Sequence, residues 1–258
     1  MTQIPSILDM LKAGVHFGHQ KNKWHPKMAP FIFTDRNNVH IIDLEKTQIK
    51  LGEALEFIKD YVAAGKTFLI VATKEQARPI VKKISEENNI PYIAEKWIGG
   101  LLTNFDEIYK TSFKKFKKMK NLIETGEIIK YTKKEQIRIA KELEKMGRSL
   151  SSLEKMERRP DAVIIVDIKR EKTALNEALR TGIKIVAVCD TNVNPDKIDY
   201  IIPANDDATK SLELLLGLIG EAIKEGHAAI PAQPAAVAAK KTKEEPQRKE
   251  RVTKVFSE

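Results

Sequence analysis

The sequence predicts an α/β fold: a three-layer sandwich with a five-stranded parallel sheet in flavodoxin-like order, carrying an inserted antiparallel coiled-coil hairpin. Five short apolar runs rich in β-branched residues are the first reason. Continuous apolarity is typical of strands that helices cover on both faces. Helical patterns separate the runs, and such alternation indicates a doubly wound sheet. One connection is much longer than a crossover requires, which indicates an insertion.

The predicted strands and helices follow one another regularly along the chain. Apolar runs predict strands at Thr67–Ala72, Pro91–Ala94, Ala162–Val166, Ile185–Cys189 and Tyr200–Pro203. Apolar residues recur at helical spacing over Thr47–Ala64, Glu75–Asn88, Lys172–Thr181 and Ala208–Lys224. Gly182, directly after the third of these helices, is a typical C-terminal stop. We expect residues 1–105 and 160–226 to form one α/β domain.

The long connection, Asp106–Pro160, is basic. It contains sixteen Lys and Arg residues against nine Asp and Glu, a net charge of +7. Its apolar residues step by three and four along two arms, which predicts two helices packed as an antiparallel coiled coil over residues 106–159. We expect the seam to pack only on itself, through Phe116, Met119, Ile139, Leu143, Met146 and Leu150.

The positive charge of the chain is concentrated in two places. The whole chain carries +9, and residues 226–258 add +3 to the +7 of the insertion, so the remaining body is nearly neutral at −1. Basic appendages on such a body favour a protein that docks on a polyanion, although a solvated helix pair is the simpler alternative. The tail, residues 227–258, has few large apolar side chains, and we expect it to be disordered.

Composition also restricts the compartment. Cys189 is the single cysteine, which excludes a disulfide framework and a cysteine-based metal cluster. No apolar run approaches the roughly 20 residues that span a bilayer. The first residues lack the apolar core of a secretion signal. We therefore expect a soluble, cytoplasmic protein with no membrane contact.

A basic segment near the N-terminus is a candidate site for RNA. Lys21, Lys23, Trp24 and Lys27 combine cations with an aromatic ring, the mixture that contacts phosphates and stacks on bases. Prolines at 26 and 30 predict an irregular loop here. Packing of Trp24 in the core is the alternative interpretation.

Two histidines precede this segment. His16 and His19 lie three residues apart, a spacing that would suit two zinc ligands on one helical turn. Gly18 between them, and the lack of a third ligand nearby, argue against that role. We include both histidines in the predicted RNA contact, and structural packing remains the alternative.

The ends of the predicted strands carry no nucleotide-binding motif. The first strand leads into ATKEQARP, which lacks the glycines that let backbone N–H groups approach a phosphate. Gly99 and Gly100 follow the second strand and predict a tight turn that begins the insertion. Asn104 after this turn either caps a helix or contacts a partner.

Asp and Asn are frequent after the last two strands. Asp190, Asp206 and Asp207 follow strand ends, where α/β folds bind ligands. With His16 or His19 they could form a magnesium site or even a hydrolase. The alternative is that Asn205 or Asp206 caps the next helix, while asparagines 192 and 194 hold a turn. We favour capping and predict no metal and no cofactor.

Four long motifs carry a resemblance to a known family. The order and spacing of these motifs are similar to the bacterial small-subunit ribosomal proteins of the S-two family over roughly residues 5–225: HFGHQKNKWHPKMAPFIFTDRNNVHIIDL, KWIGGLLTNF, RRPDAVIIVD and CDTNVNPDKIDYIIPANDDATKS. The resemblance implies an α/β domain with a coiled-coil hairpin and a structural, non-catalytic role. It implies binding of small-subunit ribosomal RNA and neighbouring ribosomal proteins and, in some bacteria, of the large messenger-binding one.

Three functions remain to be compared: a ribosomal RNA-binding protein, a nucleotide- or metal-dependent enzyme, and a scaffold whose coiled coil recruits a protein. We favour the first, as a monomeric component of the subunit rather than a homo-oligomer. The predicted RNA-binding residues are His16, His19, Lys21, Lys23, Trp24, Lys27, Asn104, Lys114, Lys115, Lys117 and Lys118.

Overall fold

The computed structural model describes residues 4–154 and 156–229. The last described helix runs to Ala229, so the first three residues of the predicted tail are helical. The rest of that tail, residues 230–258, lies outside the described residues. No helix within the described ranges is long and apolar enough to cross a membrane.

Residues 17–42 contain a small sheet of their own. Helix α1 (Ile7–Ala13) precedes strands β1 (Phe17–Gln20), β2 (Ile32–Arg36) and β3 (Val39–Ile42), which pair antiparallel in the order β1-β3-β2. Short 3₁₀ turns at Lys21–Lys23 and Pro26–Phe31 connect β1 to β2. The expected irregular loop is therefore limited to this connection, because the flanking residues extend and pair around it.

The second sheet has five parallel strands, as predicted. The chain passes through α2 (Leu44–Ala63), β4 (Phe68–Val71), α3 (Arg78–Asn88) and β5 (Tyr92–Ile93) before the insertion. After the insertion come β6 (Ala162–Val166), α7 (Lys172–Thr181), β7 (Lys184–Cys189), β8 (Tyr200–Pro203) and α8 (Thr209–Ala229). The strand order is β5-β4-β6-β7-β8, which confirms the flavodoxin-like arrangement.

Successive side chains of each strand enter different cores. Phe68 and Ile70 point into one core with residues of α2, α3 and α8. Leu69 and Val71 point into the other, which α7 and the insertion cover. Alternation of this kind follows from the two-residue repeat of a strand. The sheet is thus the middle layer of three, as the sequence predicts.

The insertion consists of helices that pack on the domain as well as on each other. It contains α4 (Phe105–Ile108), a π-helical turn at Tyr109–Phe113, α5 (Lys114–Glu124), a 3₁₀ turn at Glu127–Lys130 and α6 (Lys133–Leu150). A second 3₁₀ turn, Ser151–Leu153, follows α6. Thr132 and Glu135 form a capping box at the start of α6.

The structure does not confirm the antiparallel coiled coil. Lys115 of α5 pairs with Glu142 of α6, but Lys120 pairs with Glu154, which lies beyond the end of α6, so these two ion pairs do not form the regular ladder of an antiparallel coiled coil. The seam also does not pack only on itself. Phe116 and Leu150 are buried in the core that contains Leu69 of the sheet, and Leu143 and Met146 pack against this core. The sequence spacing identifies the apolar face of each helix but not the surface it covers.

Candidate nucleic-acid interface

Charged side chains gather at the edge of the sheet where its parallel strands end. Lys74 follows β4, Asp167 follows β6, Asp190 follows β7 and Asp206 follows β8. Parallel strands place their carboxyl ends at one edge, so residues far apart in sequence meet there. Strand β1 covers this edge and adds His19.

Lys74 is the cation at the centre of this cluster. Its side chain is 9% exposed, and its Nζ lies 2.7 Å from Asp206 Oδ1, 2.6 Å from Asp207 Oδ1 and 3.4 Å from Asp167 Oδ2. Burial alone would lower the pKa of this ammonium group, but the three carboxylates outweigh burial and raise it. Lys74 is therefore charged and structural, and it holds three strand ends together.

His19 bridges the small sheet to the same cluster. Its Nδ1 lies 3.0 Å from Asp190 Oδ2, and its Nε2 lies 3.6 Å from Asp207 Oδ2. The hydrogen bond to Asp190 raises the pKa of the imidazole, and the charges of the aspartates add to this against the effect of burial. The histidine thus favours its charged form at this position.

Asp206 is a buried carboxylate of the same cluster. Its side chain is 1% exposed, and its Oδ2 has no hydrogen-bond partner among the described residues. Burial and the charges of Asp190 and Asp167 raise the pKa of Asp206 to about 7, although Lys74 acts in the opposite direction. Ligand atoms of His19, Asp190, Asp206 and Asp207 all lie within 4.8 Å of one another. Imidazole and carboxylate groups at this separation are chemically able to hold a divalent cation.

Neither Asn205 nor Asp206 caps α8, because Ala208 directly precedes its first residue and accepts the backbone hydrogen bond from Leu212. Asn205 Oδ1 accepts hydrogen bonds from the backbone N–H groups of Asp207 and Ala208, directly before α8, whereas Asp206 turns to Lys74. Asn194 holds the predicted turn by accepting from the N–H of Asp196. Asn192 does not contribute to the turn, because its buried Oδ1 has no partner within the described ranges.

The N-terminal candidates lie on the small sheet and its connecting turns. Lys21 and Lys27 are exposed but pair with Asp35 at 3.2 Å and Asp196 at 2.9 Å. Lys23 is exposed and forms no hydrogen bond or ion pair with any described residue. Of the predicted lysines in this segment, Lys23 is thus the one left free for a partner.

The aromatic candidates of this region have two different surroundings. The Trp24 ring is 38% exposed and lies 5.3 Å from the buried ring of His40, so the indole is neither core nor fully free. The His16 ring packs on Phe17 at 4.0 Å, and burial lowers its pKa. His16 forms no hydrogen bond or ion pair with the aspartates among the described residues, so of the two histidines only His19 belongs to the cluster.

Glu177 fixes the loop that leads to Asn104. Its buried carboxylate on α7 accepts hydrogen bonds from Trp97 Nε1 at 2.9 Å, Gly100 N at 2.8 Å and Leu102 N at 3.1 Å. Gly100 has a φ of +85°, a left-handed conformation that glycine adopts without strain. Asn104 precedes α4 with an exposed side chain that makes no capping bond, so it is available to a partner.

The lysines of α5 differ in their surroundings. Lys115 is paired with Glu142, and the Nζ of Lys117 lies 5.9 Å from the ring centre of Tyr109. Lys114 and Lys118 are exposed and form no hydrogen bond or ion pair with the described part of the chain. They lie one helical turn apart and share a face.

Sequence reasoning missed Lys74, Asp167 and Glu177. The first two could have been found because each directly follows a predicted strand, and parallel strand ends converge. Glu177 could not, since a glutamate within a helical pattern looks like a solvated side chain. Its role depends on a loop almost 80 residues earlier in the sequence.

Fold and charge together define a class: an α/β domain with a flavodoxin-like sheet and a basic helical insertion. Comparison with known proteins agrees with this class. The family described as ribosomal protein S2 matches residues 10–226. The chain therefore belongs to the ribosomal protein S2 family.

Individual relatives extend over most of both chains. The chain is 45% identical over 223 residues to the small ribosomal subunit protein uS2 of Coprothermobacter proteolyticus, covering 86% of this chain and 83% of that protein. The uS2 protein of Parabacteroides distasonis is 46% identical over 217 residues, covering 84% and 78%. The uS2c protein of Rhodomonas salina is 43% identical over 224 residues, covering 87% and 92%.

Proposed function

We propose that this chain is a structural constituent of the small ribosomal subunit, without enzymatic activity, that binds ribosomal RNA and neighbouring ribosomal proteins. Its membership of the ribosomal protein S2 family over residues 10–226 is the observation that carries the proposal. The relatives that cover most of the chain are named as small-subunit proteins.

The distribution of unpaired cations supports particular RNA contacts. Phosphate contacts require cations that no internal carboxylate neutralises. Lys23, Lys114 and Lys118 meet this condition, and we assign them the main electrostatic contacts. Lys21, Lys27 and Lys115 must exchange an internal partner for a phosphate, so they contribute less.

Other candidates serve different roles in the same proposal. Trp24 offers a partly exposed ring for stacking on a base, and Asn104 offers an exposed amide. Lys117 lies on the surface of α5, beside the ring of Tyr109. His16 and His19 contribute by positioning the small sheet rather than by contacting RNA directly.

Finer partners belong to the same proposal. We propose that the protein works in the cytoplasm as one copy per subunit, without membrane contact. In organisms that have the large messenger-binding ribosomal protein, this protein is one of its neighbours. These proposals rest on the family, whereas the RNA surface rests on residues described above.

Binding of small-subunit RNA at increasing salt tests the function. Log affinity should fall linearly with log salt concentration, by about 0.9 per phosphate contact on a duplex and about 0.7 on a single strand. The variant K23Q/K114Q/K118Q should flatten this slope by about two units while melting as the wild type does. The full chain should also co-sediment with the small subunit.

A matched variant controls for net charge. K50Q/K66Q/K184Q removes the same charge at three lysines that already pair with Glu53, Asp161 and Asp199. Its slope should stay near that of the wild type. Failure of the wild type to bind the RNA would reject the function. Equal slopes for all three proteins would reject the assigned residues alone.

A further inference from the structure

Helix α6 carries a row of cations on its outer side. Lys134, Arg138, Lys141 and Lys145 are all exposed and step by four, three and four residues. At 3.6 residues per turn they fall within a sector of roughly 60°, and at 1.5 Å per residue they span about 16 Å. They form one straight strip, which we call the α6 strip.

The α6 strip faces away from the protein. The apolar side of α6 is Leu143, Met146 and Leu150, which pack toward the sheet. On a helical projection the strip lies roughly 140° from this side. Its side chains therefore bury nothing within the described residues, and their identity is not required for folding.

The acidic residues of α6 form their hydrogen bonds and close ion pairs with residues outside the strip. Glu135 caps Thr132, Glu142 pairs with Lys115 and Glu144 pairs with Arg148. None of the four strip cations forms a hydrogen bond or close ion pair with a described residue. A helix that is merely solvated commonly alternates its charges so that i, i+4 pairs form. Here the four cations form an unbroken row, along which like charges repel, and Glu135 and Glu142 beside it attract Arg138 and Lys145 without a close ion pair.

We propose that the α6 strip binds the sugar–phosphate backbone of RNA independently of its sequence. The proposal rests on the ribosomal function above and names a contact surface that it does not include. Lysine is a point charge that suits phosphate, and the strip contains no aromatic side chain to stack on a base. The strip contributes affinity and salt dependence, while sequence recognition lies elsewhere on the protein.

Two RNAs separate the strip from the rest of the interface. The full-length variant K134Q/R138Q/K141Q/K145Q is titrated with a small-subunit RNA fragment and with a scrambled RNA of equal length and composition. Four lost contacts should flatten the salt slope by about three units on both RNAs. At 0.15 M salt the affinity should fall on the order of a hundredfold for each. The ratio of the two affinities should not change.

Glutamine preserves helix propensity, so circular dichroism and melting should match the wild type. The control K50Q/K59Q/K66Q/K184Q removes four charges from lysines paired with carboxylates on the body and should shift the slope by less than one unit. An unchanged slope in the strip variant would overturn the proposal, even though the wild type binds its RNA. Loss of binding to the cognate RNA alone would also overturn it, since the strip would then read sequence. Normal RNA binding with impaired incorporation into the subunit would assign the strip to an acidic protein instead.

Discussion

At the scale of a single residue, Gly18 allows the small sheet to pack closely against the end of the parallel sheet. A Cβ atom there would lie 2.6 Å from Thr191 Cγ2 and 3.1 Å from the carbonyl oxygen of His40. Thr191 cannot move freely, because it accepts hydrogen bonds from the N–H groups of His19 and His25. The glycine is therefore a steric requirement of the site.

We expect Gly18→Ala to lower the free energy of unfolding by about 1–3 kcal/mol, as overpacking does in a dense core. Urea denaturation measures the change. Gly99→Ala is the matched control, because nothing lies within 4 Å of its added Cβ. Equal stability of the two variants would show that β1 has room to shift.

Glu177 is a second residue whose role depends on its charge. An ionised carboxylate accepts from three N–H groups through both oxygens, whereas the amide of glutamine keeps one acceptor oxygen and turns an NH2 donor toward the remaining N–H. We expect Glu177→Gln to cost about 2–4 kcal/mol, because at least one buried donor loses its charged acceptor and faces another donor. Urea melts followed by tryptophan fluorescence report it. Glu213→Gln on the solvent side of α8 should leave the free energy of unfolding unchanged. If Glu177→Gln also leaves it unchanged, the loop does not depend on the Glu177 carboxylate.

At the scale of elements, periodicity predicts the parallel sheet but not the small one. Strands β4, β6 and β7 are continuous apolar runs, and such runs have few alternatives in an α/β protein. Strands β1 to β3 have four or five residues each, and their exposed faces carry mixed side chains. Their partners decide their conformation, and pairing between distant residues leaves little local signal. The charged cluster is hidden for the same reason, since strand order brings its members together.

The start of α6 depends on its capping box. Thr132 accepts from the Glu135 N–H while the Glu135 carboxylate accepts from the Thr132 N–H. We expect Thr132→Ala to destabilise the first turn by about 1 kcal/mol. Hydrogen exchange should accelerate at the amides of residues 133–136 while residues 162–166 of β6 are unchanged. Uniform exchange rates along α6 would contradict this role.

At the scale of the whole molecule, the insertion supplies part of the core. Phe105, directly before it, and five of its own apolar side chains are buried against the sheet: Phe113, Phe116, Leu150, Leu153 and Met156. At about 1.5–3 kcal/mol each, their burial is comparable with the 5–15 kcal/mol that stabilises a typical domain. We therefore expect that replacing residues 105–159 by a short Gly/Ser linker abolishes cooperative unfolding. A shortened protein with a sharp thermal transition would show that the insertion is independent.

Stability of the whole molecule should depend on pH through the charged cluster. The pKa of His19 is raised above 6.5 in the folded protein, so its contribution is complete below pH 6.5 and is lost as pH rises through the folded value. The raised pKa of Asp206 acts with the same sign between about pH 4 and its folded value of about 7.

We expect His19→Gln to cost about 1–2 kcal/mol at pH 6 and much less at pH 9, because the charged hydrogen bond to Asp190 is then already lost. Urea melts with a chelator present measure both values. His227→Gln near the end of α8 is the control. A His19→Gln cost that grows with pH would show that the histidine acts in its neutral form.

The hydrogen bonds between the segment that leads into β1 and Asn205, after β8, have a consequence for biosynthesis. Val15 O accepts from the N–H of Asn205, and Gly14 O accepts from its side chain, across about 190 residues of chain. A growing polypeptide emerges with its N-terminus first, so β1 must wait until Asn205 has left the exit tunnel. Asp206 and Asp207, which complete the contacts of Lys74 and His19, emerge later still, and until then the nascent segment is open to proteases and chaperones. A chain released early, before position 205, keeps its basic segments but cannot close the structure that presents them.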